Sequence, residues 1–245
     1  MHHVVVDRWS QRPSLIHRRD PRVKILATLI LLVVIATTSI ASPLALAAYA
    51  ACLLAGLVTA RLPVLAVAAR ACIVLPFAGT FAAISALTGD TPRAVELVAK
   101  SYLSAAAVLW LVGTTPMPSL MQGLNAMGLP RMLVLVAQFV YRYLFVISEQ
   151  AQHMLLASRC RGGMPRQGRR RGPGLRHRFQ AASGAVAVLF GRSYQKAEAV
   201  HRAMLARGFQ GEIRLLNRLS PGPWDGVYLA VAGGVPVALR IGLGA

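Results

Sequence analysis

The feature that most constrains this chain is a series of long stretches without a charged residue. Residues 25–41 and 42–60 are two such stretches, of 17 and 19 residues. An α-helix rises about 1.5 Å per residue, so 17 residues reach roughly 25 Å, close to the thickness of a bilayer's hydrocarbon core. The two stretches therefore predict a pair of membrane-spanning helices that meet near Pro43, because proline is tolerated in the first turn of a helix.

Further apolar stretches extend this pattern along the chain. Residues 71–89 are uncharged, and residues 94–115 are interrupted only by Glu96 and Lys100, which are spaced to pair on one helix face. The 14 uncharged residues of 226–239 are short for a span unless their flanks lie in the headgroup layer. The sequence predicts an all-α polytopic membrane protein with about five transmembrane helices.

The composition supports a membrane protein and disfavours other classes. Hydrophobic residues make up 56% of the 245 positions and charged residues 14%, against about a quarter charged in soluble domains. The apolar content excludes disorder. A cleaved signal peptide fits poorly, because the first apolar run begins only at residue 25 and no clear cleavage site follows it. Three irregularly spaced cysteines predict neither a disulfide framework nor a zinc site.

The basic residues predict an orientation. Six precede the first span, which places the N-terminus in the cytoplasm by the positive-inside rule. Five spans then put 24 of the 27 Lys and Arg on that side. The predicted organisation is a cytoplasmic segment 1–24, four transmembrane helices in 25–115, a cytoplasmic coupling-helix region 116–223, and a C-terminal transmembrane helix in 224–245.

The cytoplasmic region is predicted to contain two long helices. Residues 131–161 hold no proline or glycine and are followed by Gly162 and Gly163, where glycine can adopt the left-handed conformation that ends a helix. Six arginines with interleaved Gly and Pro make residues 163–179 a flexible basic loop. A second helix is predicted from about 181 to 207, ending at Gly208.

The ends of these two helices are alike. Residues 148–162 align without gaps to residues 194–208. The identical pairs are Ala151 and Ala197, Ala157 and Ala203, Arg161 and Arg207, and Gly162 and Gly208. In each helix the arginine shares a face with the alanine four residues before it, so a planar guanidinium suited to a carboxylate lies beside a small side chain. The pattern predicts two docking tips; the alternative is that each arginine and glycine merely cap a helix.

The sequence resembles the T component of energy-coupling-factor (ECF) transporters, the EcfT/CbiQ family, over nearly its whole length. The segments that carry the resemblance are Asp20-Pro21-Arg22-Val23-Lys24-Ile25, Gly128-Leu129-Pro130, Arg142-Tyr143-Leu144-Phe145, Cys160-Arg161-Gly162 and Ala206-Arg207-Gly208. The last is an intact Ala-Arg-Gly signature, whereas the first copy has Cys160 in place of alanine. A register through Ser158 and Arg159 is an alternative, but it loses the glycine.

The resemblance implies a scaffold subunit that is not an enzyme and binds no cofactor or metal, in the plasma membrane of a prokaryote. Two ATP-binding-cassette ATPases carrying ATP and magnesium would bind its coupling helices, and a substrate-binding S component would bind its membrane part. The residues implied to contact the ATPases are Cys160, Arg161, Gly162, Ala206, Arg207 and Gly208, supported by Ala157 and Ala203. The resemblance to the cobalt-type branch, CbiQ, implies uptake of cobalt or nickel with a CbiM-like S component; a vitamin importer is the alternative.

Other functions are less well supported by the residues. The arginines of 166–178 would suit anionic lipid or RNA, but only Phe179 is available nearby to stack on a base, so no nucleic-acid partner is expected. No Walker A, G-x-G-x-x-G or G-x-S-x-G motif is present. His2 and His3 could bind a metal through a free amino terminus, but a flexible terminus is the favoured interpretation.

Overall fold

The computed structural model describes residues 19–38, 43–161, 175–211 and 222–242. Within those ranges the regular elements are helices, and no strand is present. In chain order the α-helices are α1 (Pro21–Thr37), α2 (Pro43–Thr59), α3 (Val64–Ala71), α4 (Leu75–Leu87), α5 (Thr91–Thr114), α6 (Met117–Ala126), α7 (Arg131–Cys160), α8 (Leu175–Ala206), α9 (Pro223–Ala232) and α10 (Gly234–Gly242). The predicted all-α class is confirmed.

Among the described residues, four helical stretches are long and apolar enough to cross a membrane. They are Val64–Leu87, Thr91–Thr114, Arg131–Cys160 and Trp224–Gly242, and Leu44–Thr59 in α2 is a shorter apolar helix. With α1, whose 17 residues match the predicted first span in length, these helices make the chain a multi-pass membrane protein. The stretch Arg131–Cys160 is α7, which belongs to the predicted cytoplasmic region 116–223. The cytoplasmic location of α7 stays a prediction.

Several helix bounds differ from the sequence prediction. A single 3-10 turn, Cys72–Val74, joins α3 to α4, so the third span begins before residue 71 and Arg70 lies inside a helix instead of in the preceding connection. The last apolar stretch is divided at Gly233 into α9 and α10, which together reach 19 residues. The helix α8 begins at Leu175, so the last five residues of the predicted basic loop are helical. Residues 162–174 lie outside the described part of the chain.

The chain divides into two compact units. The membrane unit is Met1–Leu129 with Leu216–Ala245 and contains α1–α6, α9 and α10. The tip unit is Pro130–Leu215 and contains α7 and α8, which contact each other.

The helix α1 is central to the membrane unit, since it contacts α5, α6, α9 and α10. Its buried face includes Leu31, Val34 and Ile35. The Asp20 carboxylate accepts a hydrogen bond from the Arg22 amide at 2.9 Å and so caps the first turn. The opposite face exposes Leu26, Leu29 and Val33. Exposed leucine and valine on a helix of this kind are suited to contact with lipid.

Close packing between α2 and α5 depends on Gly56. A Cβ atom built on Gly56 would lie 2.9 Å from Cζ2 of Trp110, whose ring is buried in the core cluster. Small residues allow membrane helices to approach closely where no hydrophobic effect drives association. The glycine therefore provides the space that the indole ring fills.

Candidate functional site

The first predicted tip is the end of α7. The helix ends at Cys160, and Arg161 occupies the cap position with φ −85° and ψ 7°. Its amide donates to the carbonyl of Ala157 at 3.1 Å, so the backbone of Arg161 continues the last turn. Ala157, Cys160 and Arg161 are exposed. Gly162, the predicted glycine of this tip, lies outside the described residues.

The second predicted tip is the end of α8, and its glycine acts as the sequence predicts. The helix ends at Ala206, and Gly208 adopts the left-handed conformation with φ +75°. The Gly208 amide donates to Leu205 O at 3.0 Å and the Phe209 amide to Met204 O at 3.0 Å. These two bonds form a Schellman motif, which satisfies carbonyls left free by the end of the helix.

The two arginines occupy equivalent positions. Arg161 directly follows the last residue of α7, and Arg207 directly follows the last residue of α8. Both side chains are exposed, and neither guanidinium has a hydrogen bond or ion pair with the described residues. Ala203, Ala206 and Gly208 are exposed beside Arg207. Each tip therefore presents a five-donor group that has no partner among the described residues, beside small side chains.

The charge around the tips favours an acidic partner. The described residues of the tip unit, 130–161 and 175–211, contain ten Lys and Arg and two Glu. Both glutamates are engaged within their own helix, Glu149 with His153 at 3.8 Å and Glu198 with Arg202. A surface with such an excess of positive charge steers negatively charged surfaces toward it.

The described residues offer no evident metal centre. No group of three or more His, Cys, Asp or Glu in them could hold an ion. His153 and His201 lie on different helices, and the three cysteines are free thiols. His2 and His3, for which the sequence favours a flexible terminus over a metal site, lie outside the described residues.

A buried polar cluster in the membrane unit was not recognised as such from the sequence. Asp20, Lys24 and Asp225 are buried together, and the Asp20 amide donates to Oδ1 of Asp225 at 3.4 Å. The cluster joins the first and last spans, which are about two hundred residues apart in the chain. The only local signal was the charge of Asp20 and Lys24 at the start of an apolar run.

Comparison with known proteins identifies the family of the chain. The profile of the CbiQ family, described as cobalt transport protein, matches residues 12–216. The chain belongs to the CbiQ family. That match covers most of the chain and includes both arginine tips.

Individual relatives agree with this assignment. The cobalt transport protein CbiQ of Rhodobacter capsulatus is 30% identical over 125 residues, which are 51% of this chain and 48% of that protein. An uncharacterized protein of Methanocaldococcus jannaschii is 29% identical over 113 residues, 46% of this chain and 39% of the relative. The chain thus spans about half or less of the length of the curated relatives it matches.

Proposed function

We propose that this CbiQ-family chain is the T component of an ECF importer for cobalt ions. In this role it couples ATP hydrolysis by two ABC ATPases to movement of a substrate-binding membrane subunit. Cobalt is the cargo named for the family and for the Rhodobacter relative. The substrate contacts are expected on the partner subunit.

The observation that carries the proposal is a pair of arginines at equivalent, exposed helix ends, neither of which pairs with a described residue. An arginine used only as a C-cap has its role within its own helix. The guanidinium groups of Arg161 and Arg207 instead make no hydrogen bond or ion pair with the described residues. They lie beside small side chains that allow another surface to approach. A groove lined by acidic or polar groups on each ATPase would complement such a tip.

The decisive experiment replaces the two arginines with alanine, singly and together. Breaking a desolvated charge pair leaves the partner's charge unpaired and costs a few kcal/mol. We therefore expect each single variant to weaken ATPase binding at least about tenfold, the equivalent of about 1.4 kcal/mol. We expect R161A/R207A to abolish both co-purification of the ATPases and cobalt uptake.

Two neighbouring arginines provide matched controls. Arg159 lies in the last turn of α7, and Arg202 pairs with Glu198 within α8. R159A and R202A remove the same charge near the same tips and should leave assembly and uptake close to wild type. Undiminished uptake in R161A/R207A would refute the proposal. A loss confined to R159A would favour the alternative register through Ser158 and Arg159.

A further inference from the structure

Two lysines connect α1 and α5 in a reciprocal way. Lys24, in the first turn of α1, donates from Nζ to the carbonyl of Thr114 at the end of α5 at 3.1 Å. Lys100, on α5, donates from Nζ to the carbonyl of Thr38, at the end of α1, at 2.7 Å. Each helix therefore supplies the cation that caps the carboxyl end of the other. The arrangement requires the two helices to be antiparallel neighbours.

The physical chemistry favours strong capping at both ends. The last carbonyls of a helix lack partners in the helix and carry the negative end of its dipole. A hydrogen bond from an ammonium group to such a carbonyl is charge-assisted and gains strength away from water. Lys24 is only 2% exposed, and Lys100 also forms an ion pair with Glu96, which lies one turn earlier on α5.

Each lysine is balanced by carboxylates held on the same or a neighbouring helix. The carboxylates of Asp225 and Asp20 act electrostatically on the ammonium of Lys24, and Glu96 pairs with Lys100. A buried cation without such compensation would destabilise the fold.

The use of lysine at these two positions is selective. The chain has 24 arginines and only three lysines, Lys24, Lys100 and Lys196. A lysine is a compact charge on a flexible stem and can reach one carbonyl, whereas the planar arginine fork is suited to carboxylates. Two of the three lysines thus serve a single purpose at opposite ends of one helix pair.

We propose that Lys24 and Lys100 together lock the axial register of α1 against α5, so that the helix pair transmits force as one rigid body. One cap alone would still hold the register from one end of the pair but would leave the other end free to fray. Two caps of opposite direction resist sliding in either sense, because any shift lengthens both hydrogen bonds. The lock follows from the contacts alone; its use in energy coupling rests on the proposed function.

Hydrogen–deuterium exchange of the chain in lipid nanodiscs tests the lock. We compare wild type with K24M, K100M and K24M/K100M, because methionine keeps the length of lysine and removes its donors. Each single variant should speed exchange at least tenfold in the helix end that it uncaps, the last turn of α5 for K24M and of α1 for K100M. Arg240 also donates to Thr37 O at 3.3 Å, so the K100M effect should be the smaller.

The double variant distinguishes a lock from two separate caps. Amides in the middle of α1, residues 28–33, should exchange as in wild type in both single variants. In K24M/K100M they should exchange at least tenfold faster, because the register is then free. If residues 28–33 of K24M/K100M exchange no faster than in the faster of the two single variants, the lock is overturned.

Two further variants keep the test informative. K196M makes the same substitution on α8 and should leave exchange in α1 and α5 unchanged. K24M/D225N removes Lys24 together with one of its balancing charges, so it replaces K24M where that variant does not fold. Asparagine can still accept from the Gly222 amide, which Asp225 now does at 2.9 Å.

The functional consequence is measured separately in the complex with its ATPases. We expect K24M/K100M to retain ATPase binding and hydrolysis but to import at least threefold fewer cobalt ions per ATP. Unchanged import per ATP would show that the lock affects only the stability of the chain and would overturn its role in transmitting force. A wild-type chain that binds no ATPase would refute the proposed function and leave the exchange result standing.

Discussion

The left-handed backbone at Gly208 is the residue-scale feature on which the second tip depends. Glycine has no Cβ, so it adopts a φ of +75° without the steric cost that other residues meet. The two hydrogen bonds that close the end of α8 form only with this conformation. They also fix the point where the chain leaves the helix, directly after Arg207.

We therefore expect Gly208→Ala to cost about 1 kcal/mol at this helix end. Binding of the ATPases should fall about fivefold, the equivalent of that free energy. Gly191→Ala is the matched control, because Gly191 lies within α8 with open space around its Cβ position. Isothermal titration of the purified chain with its ATPases measures both. Equal affinity in the two variants would contradict a role for the glycine turn.

Arg61 shows the same kind of helix end without a glycine signal. It has φ 55° after α2, and its amide donates to Val58 O at 2.9 Å while the Leu62 amide donates to Leu57 O at 3.1 Å. The hydrogen bonds match those at Gly208. Because arginine is not a residue that favours the left-handed conformation, this turn could not be read from the sequence.

At the scale of helices, the packing of α2 on α5 depends on one missing side chain. The ring of Trp110 fills the space at Gly56, and both lie in the interior of the membrane unit. A rigid ring in a packed core moves little, so added volume is accommodated by shifting a helix.

We expect Gly56→Ala to lower the free energy of unfolding by about 1–3 kcal/mol, the usual cost of overpacking. Gly79→Ala is the matched control: Gly79 lies in α4 with nothing within 4 Å of its Cβ position, so the better helix propensity of alanine should leave stability equal or slightly higher. Thermal unfolding in detergent micelles measures both. A Gly56→Ala variant as stable as Gly79→Ala would show that α2 and α5 can separate without cost.

Helix capping also explains most of the positive charge predicted on the outer side. By the predicted topology, three of the 27 basic residues, Arg93, Lys100 and Arg240, lie away from the cytoplasm. Lys100 and Arg240 both donate to carbonyls at the end of α1. These cations have a structural role on the side where the positive-inside rule disfavours them.

At the scale of the whole molecule, the charge distribution predicts that Cys160 faces the cytoplasm. Cys160 is exposed at the end of α7. It belongs to the region 116–223, which is cytoplasmic in the predicted topology that puts 24 of the 27 Lys and Arg on that side. A membrane-impermeant maleimide should label a variant that retains only Cys160 in inside-out vesicles and not in intact cells.

A cysteine on the opposite side provides the control for this topology. Asp90 is exposed in the connection between α4 and α5, which the prediction places outside. The variant D90C, made without the natural cysteines, should be labelled in intact cells. Labelling of Cys160 in intact cells would mean that α7 crosses the bilayer, as its length and apolar composition permit, and would contradict the predicted cytoplasmic region.

The sequence by itself determined the local and compositional features of this protein. Charge-free length predicted the apolar helices before residue 115 and after residue 223, but not the apolar stretch Arg131–Cys160. Glycine chemistry predicted the end of α8 at Gly208. Both depend on neighbouring residues and on the solvent. The spacing of Glu96 and Lys100 likewise predicted their ion pair correctly.

Only the tertiary structure decided which helices meet and what their charged ends contact. Lys24 and Thr114 are 90 residues apart, and Lys100 and Thr38 are 62 apart. No periodicity in the sequence records such a pairing, since it depends on how the helices pack. The space at Gly56 and the burial of Asp225 near Asp20 belong to the same class, because each is defined by atoms from a distant part of the chain.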